Sequence, residues 1–232
     1  MLFGALSDKV GRKPIIMGGC LLAAVSYFPV FTALTAAANP ALAKAQATNR
    51  VTVTVDQAEC SLQLNLTGSA RFTSSCDIAK QALAAASVSY SNVAGRVRVP
   101  AIIHVGPVAV ASYSMQDASR SESRRQAEAF KAALDHALAD AGYPAAADRS
   151  QINTLRVMSL LTYLVILVAM VYGPMAAALA EMFPTRIRYT SVSLPYHIGN
   201  GWWGGLLPTI AIAVVARTGD MYSGLWYPVI VA

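Results

Sequence analysis

The chain has 232 residues, of which 55% are apolar and only 13% charged, with a net charge of +6. A soluble domain carries about 25% charged residues, so this composition excludes a soluble domain throughout. No basic helix or aromatic–basic stripe accompanies the positive charge, which argues against nucleic acid as a partner.

The charge deficit is concentrated in residues 15–38, 157–180 and 190–216. Each stretch meets the roughly 20 residues needed to cross a hydrocarbon core about 30 Å thick. Taken in chain order, residues 1–6 read as the last turn of an apolar helix. They lead into Gly4-Ala5-Leu6-Ser7-Asp8-Lys9-Val10-Gly11-Arg12-Lys13-Pro14. Gly4 permits close helix approach, and Gly11 permits a sharp turn. Asp8 can face the positive N-terminus of a helix, and Pro14 suits the first turn of the span that follows. Cys20, inside that first span, reads as a small packing residue.

Residues 39–153 are ordinary soluble-protein material. Val51–Val55 alternates Val-Thr-Val-Thr-Val and predicts a half-buried strand. Further short strands are expected over 61–66, 88–91, 96–99, 102–105 and 108–113. Gly95, Pro100 and Gly106-Pro107 supply turns. A short helix is expected after Cys76, with Ile78, Ala82, Leu83 and Ala86 on one face. A longer helix is expected over 120–141, opened by Ser119 and Glu122 at capping-box spacing and stopped by Gly142. Its apolar stripe of Ala127, Phe130, Leu134, Ala137, Leu138 and Ala141 opposes Arg124, Arg125, Glu128, Lys131 and Asp135. The expected assembly is a small antiparallel sheet covered on one face by this helix, an α+β module. His104 and His136 have no Glu or Cys spaced to complete a metal site, and no serine sits in a nucleophile elbow. Asn65-Leu66-Thr67 matches a glycosylation triplet.

Five of the seven basic residues outside 39–153 lie in two short loops, Lys9–Lys13 and the segment holding Arg186 and Arg188. Placing both loops in the cytoplasm satisfies the positive-inside rule and leaves 39–153 extracytoplasmic. Cys60 and Cys76 then fall in an oxidising compartment, where a disulfide between them would persist. A signal-peptide reading of residues 1–43 fails because its apolar run exceeds the usual 7–15 residues.

The span at 157–180 contains Gly173-Pro174-Met175 and leads to Glu181-Met182-Phe183-Pro184-Thr185-Arg186-Ile187-Arg188-Tyr189, then Ser193-Leu194-Pro195-Tyr196-His197-Ile198-Gly199-Asn200. With the Gly4–Pro14 segment, these residues resemble the metabolite:proton symporter family of the major facilitator superfamily. The resemblance covers about 1–38 and 155–232 but not the central module. It implies an α-helical polytopic membrane protein, a partial C-terminal bundle with an inserted small α+β extracytoplasmic domain. The domains are then 1–38, 39–153 and 154–232, with a final span beginning near Trp226 and cut short, in the cell inner membrane.

That resemblance implies alternating access between two six-helix bundles, with a small organic acid or zwitterionic metabolite as substrate and a proton as coupling ion. No cofactor and no catalytic residues are implied, and a missing N-terminal half would be the partner. Gly4, Asp8, Gly11, Arg12, Lys13, Glu181, Arg186 and Arg188 would form the cytoplasmic gate, with Arg12–Glu181 as its main ion pair. Tyr172, His197, Asn200 and Trp202 are the cavity or proton-site candidates. His197 is expected to bond to a neighbouring helix, and Gly173-Pro174 to hinge its helix. Gly199, Gly201, Gly204 and Gly205 are expected at tight helix packing. The alternative is a membrane-anchored extracytoplasmic module that binds a ligand or partner.

Overall fold

The computed structural model describes residues 2–61, 72–96, 99–116 and 119–232. The strand expected over 61–66 and the triplet at 65–67 lie almost wholly outside these residues, as does the middle of the strand expected over 96–99. Three helical spans are long and apolar enough to cross a membrane: Arg12–Ala38, Thr154–Glu181 and Arg188–Thr218. The chain divides into two units, one comprising Met1–Leu34, Asn153–Pro208 and Leu225–Ala232, the other Thr35–Ile152 and Thr209–Gly224.

In the first unit, α1 (Leu2–Val10) is separated from α2 (Arg12–Ala38) by Gly11 alone. Gly11 takes φ +98°, a left-handed conformation that only glycine adopts without strain. The second span is α6 (Thr154–Glu181), whose N-cap Asn153 accepts from Arg156 N–H. Two glycine contacts bring these helices together. Gly173 packs on α1, where a Cβ would lie 3.4 Å from Phe3 Cβ and 3.5 Å from Gly4 N. At Gly19 a Cβ would fall 2.8 Å from Val171 Cγ2 and 3.1 Å from Met170 Cβ. Hydrocarbon supplies no hydrophobic drive between helices, so small residues that let surfaces meet decide where they pack. α6 continues through Pro174, which is fully buried, so Gly173-Pro174 does not break the helix.

The third span is not one regular helix. α7 (Arg188–Ile198) passes into a π-helical run at Gly199–Gly204 and then α8 (Gly205–Thr218). The glycines here were expected at a packing seam. Among the described residues nothing lies within 4 Å of where a Cβ would stand on Gly199 or Gly201. They fall in the widened backbone itself, interleaved with Asn200, Trp202 and Trp203. α9 (Trp226–Val231) follows, with Trp226 against Phe28 at a ring separation of 5.0 Å.

The second unit holds the insert. α3 (Pro40–Thr48) is capped by Asn39, whose side chain accepts from Leu42 N–H. Then come β1 (Val51–Val55), α4 (Ser75–Ala85), β2 (Tyr90–Ala94), β3 (Ile102–Val105), β4 (Val108–Ala111) and α5 (Arg120–Asp140). The sheet order is β2-β1-β3-β4. β1 pairs antiparallel with β3 but parallel with β2, so the sheet is mixed, not antiparallel. The cause is α4, which lies between β1 and β2 in the chain and gives the crossover that parallel neighbours require. β2 starts two residues later than expected because Val88 N–H is taken by the carbonyl of Leu83 at the end of α4.

The alternation in β1 puts Val51, Val53 and Val55 on one face, aligned with Val105 and Ile103 of β3. All five are at most 1% exposed. More than one helix contributes: Cys76, Ile78, Ala79 and Leu83 of α4 join Phe130, Leu134, Ala137 and Leu138 of α5, with Leu42 and Ala45 of α3, in one core. Burying a side chain such as Leu83 contributes about 2–3 kcal/mol. Cys60 and Cys76 are joined in a disulfide with Cα atoms 5.3 Å apart. A cross-link closing a loop of this length stabilises by about 3 kcal/mol in the chain-entropy model.

Helices α4 and α5 end in the same motif. After α5, Tyr143 N–H reaches Leu138 O and Gly142 N–H reaches Ala139 O, with Gly142 at φ +81°. After α4, Val88 N–H reaches Leu83 O and Ser87 N–H reaches Ala84 O, with Ser87 at φ +55°. A serine in the left-handed region pays a steric penalty that glycine avoids. Ser87→Gly should therefore stabilise the insert by about 1 kcal/mol, read as slower exchange of the Val51–Val55 amides. In the first unit, Gly19→Val should lower the thermal midpoint in detergent, because its Cβ meets Val171. Gly18→Val should not, because nothing among the described residues lies within 4 Å of that position.

Candidate functional site

The Gly4–Pro14 segment builds a charged cluster where α1, α2 and α6 end. Ser7 is buried, its hydroxyl donates to Gly4 O at 2.6 Å and its backbone carbonyl accepts Gly11 N–H at 3.0 Å, which holds the turn. The turn aims Arg12 back across the segment. Its Nη2 lies 3.3 Å from Asp8 Oδ1 and 2.5 Å from Glu181 Oε1. Arg12 is only 22% exposed, while Asp8 and Glu181 are 65% and 60% exposed. One guanidinium therefore bridges two carboxylates on different helices, and its Nη1 is buried without a partner among the described residues. Lys13, Pro14, Met175 and Met182 line the cleft around the cluster.

Arg186 and Arg188 stand outside this cluster. Arg188 Nε donates to Phe183 O at 3.2 Å, and neither arginine is in an ion pair among the described residues. The reason is local. α6 ends at Glu181, and the turn through Pro184 leaves carbonyls that the arginine satisfies.

A second group of expected residues lies along α6 and the third span. Tyr172 OH donates to Asn200 Oδ1 at 3.4 Å, a long bond that ties α6 to the π-helical run. Trp202 is 70% exposed. Among the described residues His197 bonds within its own helix and not to a neighbouring one. Its Nδ1 lies 2.7 Å from the Ser193 carbonyl and 3.2 Å from Ser193 Oγ, one turn back on its own helix. A carbonyl only accepts, so the contact requires a hydrogen on Nδ1. The i,i+4 spacing places Ser193 under the imidazole.

Sequence reasoning missed three features of this region. The Gly19 contact with α6 carried a faint signal in the Gly18-Gly19 pair, which periodicity cannot assign to a face. The π-helical run was visible only as clustered glycines. Tyr227, whose OH donates to Trp203 O at 2.8 Å, carried no signal. Among the described residues no group of three His, Cys, Asp or Glu side chains could hold a metal ion.

With this geometry in place, similarity to known proteins becomes informative. No family model matches the chain, and no solved structure is similar to it. The chain is 36% identical over 73 residues to the citrate-proton symporter of Klebsiella pneumoniae, covering 31% of this chain and 16% of the relative. It is 40% identical over 55 residues to the citrate-proton symporter of Salmonella typhi, 24% of this chain and 13% of the relative. It is 36% identical over 74 residues to an inner membrane metabolite transport protein of Escherichia coli, 32% of this chain and 17% of the relative. About 30% of the chain is similar to the metabolite:proton symporter family of the major facilitator superfamily. The matches thus span less than a fifth of these relatives' own length. The symporter relatives are transporters by name, and none is named as an enzyme.

A double-mutant cycle of Arg12→Gln and Glu181→Gln tests the charged cluster. The expected coupling is about 1 kcal/mol or less, since Glu181 is well exposed. It should shrink in molar salt, where the screening length falls to about 3 Å. Thermal unfolding in detergent supplies the readout.

Proposed function

We propose that this chain is part of a secondary active transporter that takes up a small organic acid or zwitterionic metabolite with a proton. The observation that carries the reading is the partial identity to citrate-proton symporters. The cluster of Arg12, Asp8 and Glu181 supports it, because it joins three helix ends at one membrane face. In the proposed topology this face is cytoplasmic and residues 39–153 are extracytoplasmic. A bridge between helix ends can bias a two-state equilibrium of a few kcal/mol when it breaks in one state. Gly4, Gly11 and Lys13 shape the turn and its surroundings, while Arg186 and Arg188 serve topology instead of the bridge.

Alternating access needs two helical bundles about a site near the bilayer midplane. The three spans described here supply one wall of such a site. Tyr172, Asn200 and Trp202 present polar and aromatic groups where the π-helical run widens the third span, and such runs concentrate at functional sites. His197 lies within a span, where an ionisable residue is a functional hypothesis by default. With Nδ1 held by Ser193, the ring acts chiefly as a hydrogen-bonded structural group. The partner in this reading is a further set of helices completing the two bundles, and the proton is the coupling ion.

A second reading, a membrane-anchored binding module, is favoured by a groove of about 750 Å³ between α4 and α5, lined by Ile78, Ala82, Phe130, Leu134 and Tyr143. Its volume suits a small ligand.

Proteoliposomes separate the readings. The chain alone should show no saturable citrate uptake under an inward proton gradient. The genomic reading frame that contains it, expressed whole, should show uptake that a protonophore abolishes. Absence of uptake of any organic acid or zwitterion by the whole frame would overturn the transporter reading. Alkaline phosphatase fused after residue 150 should be active, and inactive when fused after residue 185.

A further inference from the structure

The C-terminal end of α8 has an arrangement that the transport reading does not use. The last four carbonyls of a helix have no intrahelical donor. In α8 that of Val215 is met by Gly219 N–H at 2.7 Å, which leaves Ala216, Arg217 and Thr218. All three are met from β2. Tyr90 OH, buried, donates to Ala216 O at 2.6 Å. Asn92 Nδ2 donates to Arg217 O at 3.1 Å and lies 3.4 Å from Thr218 O.

The traffic also runs the other way. β2 is an edge strand of the sheet, and an edge presents unpaired backbone groups. Its Tyr90 N–H donates to Gly219 O at 2.8 Å. Just beyond the helix, Met221 N–H donates to Ser89 Oγ at 3.2 Å. Gln46 of α3 places its Nε2 3.2 Å from Met221 Sδ. The approach is backbone on backbone: Gly219 has φ +85°, and a Cβ there would stand 2.1 Å from Tyr90 O. No other residue fits that position on either ground.

We propose that the insert is a clamp on the C-terminal end of the third span, with edge strand β2 supplying the helix cap and Gly219 the seat. Each side satisfies groups that the other would leave unpaired, so the junction opens as a whole or not at all. A buried donor or acceptor left without a partner costs about 1–3 kcal/mol, and opening would expose several at once. The folded insert therefore sets where α8 ends. Anything that loosens the insert, or is bound by it, acts on the span through Tyr90 and Asn92. Burial pushes the Tyr90 hydroxyl well above the usual tyrosine range, so it stays a donor across physiological pH.

Hydrogen–deuterium exchange on the full chain in nanodiscs tests the clamp without any transport assay. Gly219→Val should speed exchange of the Tyr90 amide and of residues 216–223 by about tenfold or more, leaving Val51–Val55 unchanged. Should Gly219→Val disturb the whole insert, the milder Tyr90→Phe/Asn92→Ala pair decides. It should speed exchange over 214–221 while Val51–Val55 keeps its protection. Unchanged exchange over 214–221 in that pair would overturn the proposal. So would acceleration of Val51–Val55 to the same degree, which would make the residues merely structural within the insert.

Discussion

Hydrocarbon offers no hydrogen bonds to a backbone, and this one constraint shapes the rest of the chain. Each span must satisfy its own amide groups, so the spans are helices and the irregular backbone collects at their ends. Asn153 caps α6, Gly11 turns α1 into α2, and β2 caps α8 from outside. Even the interruption inside the third span obeys the rule. At Gly199–Gly204 the helix widens into π geometry and does not break.

Because the helices have no hydrophobic reason to associate, their contacts fall on glycine. Gly4 faces Gly173 and Gly19 faces Met170 and Val171, and these approaches place the ends of α1, α2 and α6 together. The Arg12 bridge follows from that geometry. A single guanidinium nitrogen, Nη2, reaches both Asp8 one turn back and Glu181 on another helix.

The insert follows a different economy. It is small, and its core is one sheet face of valine and isoleucine beneath its helices, tied by a disulfide. Such a module has an edge to protect. Its edge strands are β2 and β4, and the backbone around Gly219 covers β2. The same contact that shields the edge terminates α8, so two local problems have a common solution. Similarity to the metabolite:proton symporters covers about 30% of the chain.

Much of this was legible in the residue order alone. Charge-free runs of sufficient length specify spans because bilayer thickness is fixed. Val-Thr alternation specified β1, and the Ser119 cap with the Gly142 stop bounded α5, because these signals are local and involve few residues. The cysteine pair was visible as two thiols in one oxidising compartment, though their separation was not. What tertiary structure decided was everything that depends on a distant partner. β2 runs parallel to β1 because α4 carries the chain back across the sheet, which no strand pattern reveals. His197 turned to its own helix, where the Ser193 carbonyl one turn back lies 2.7 Å from its Nδ1. Gly19, Gly199 and Gly219 are the same residue in a sequence. Only the fold makes one a packing seam, one a widened turn and one the seat of an edge strand, because a glycine's meaning lies in what approaches it.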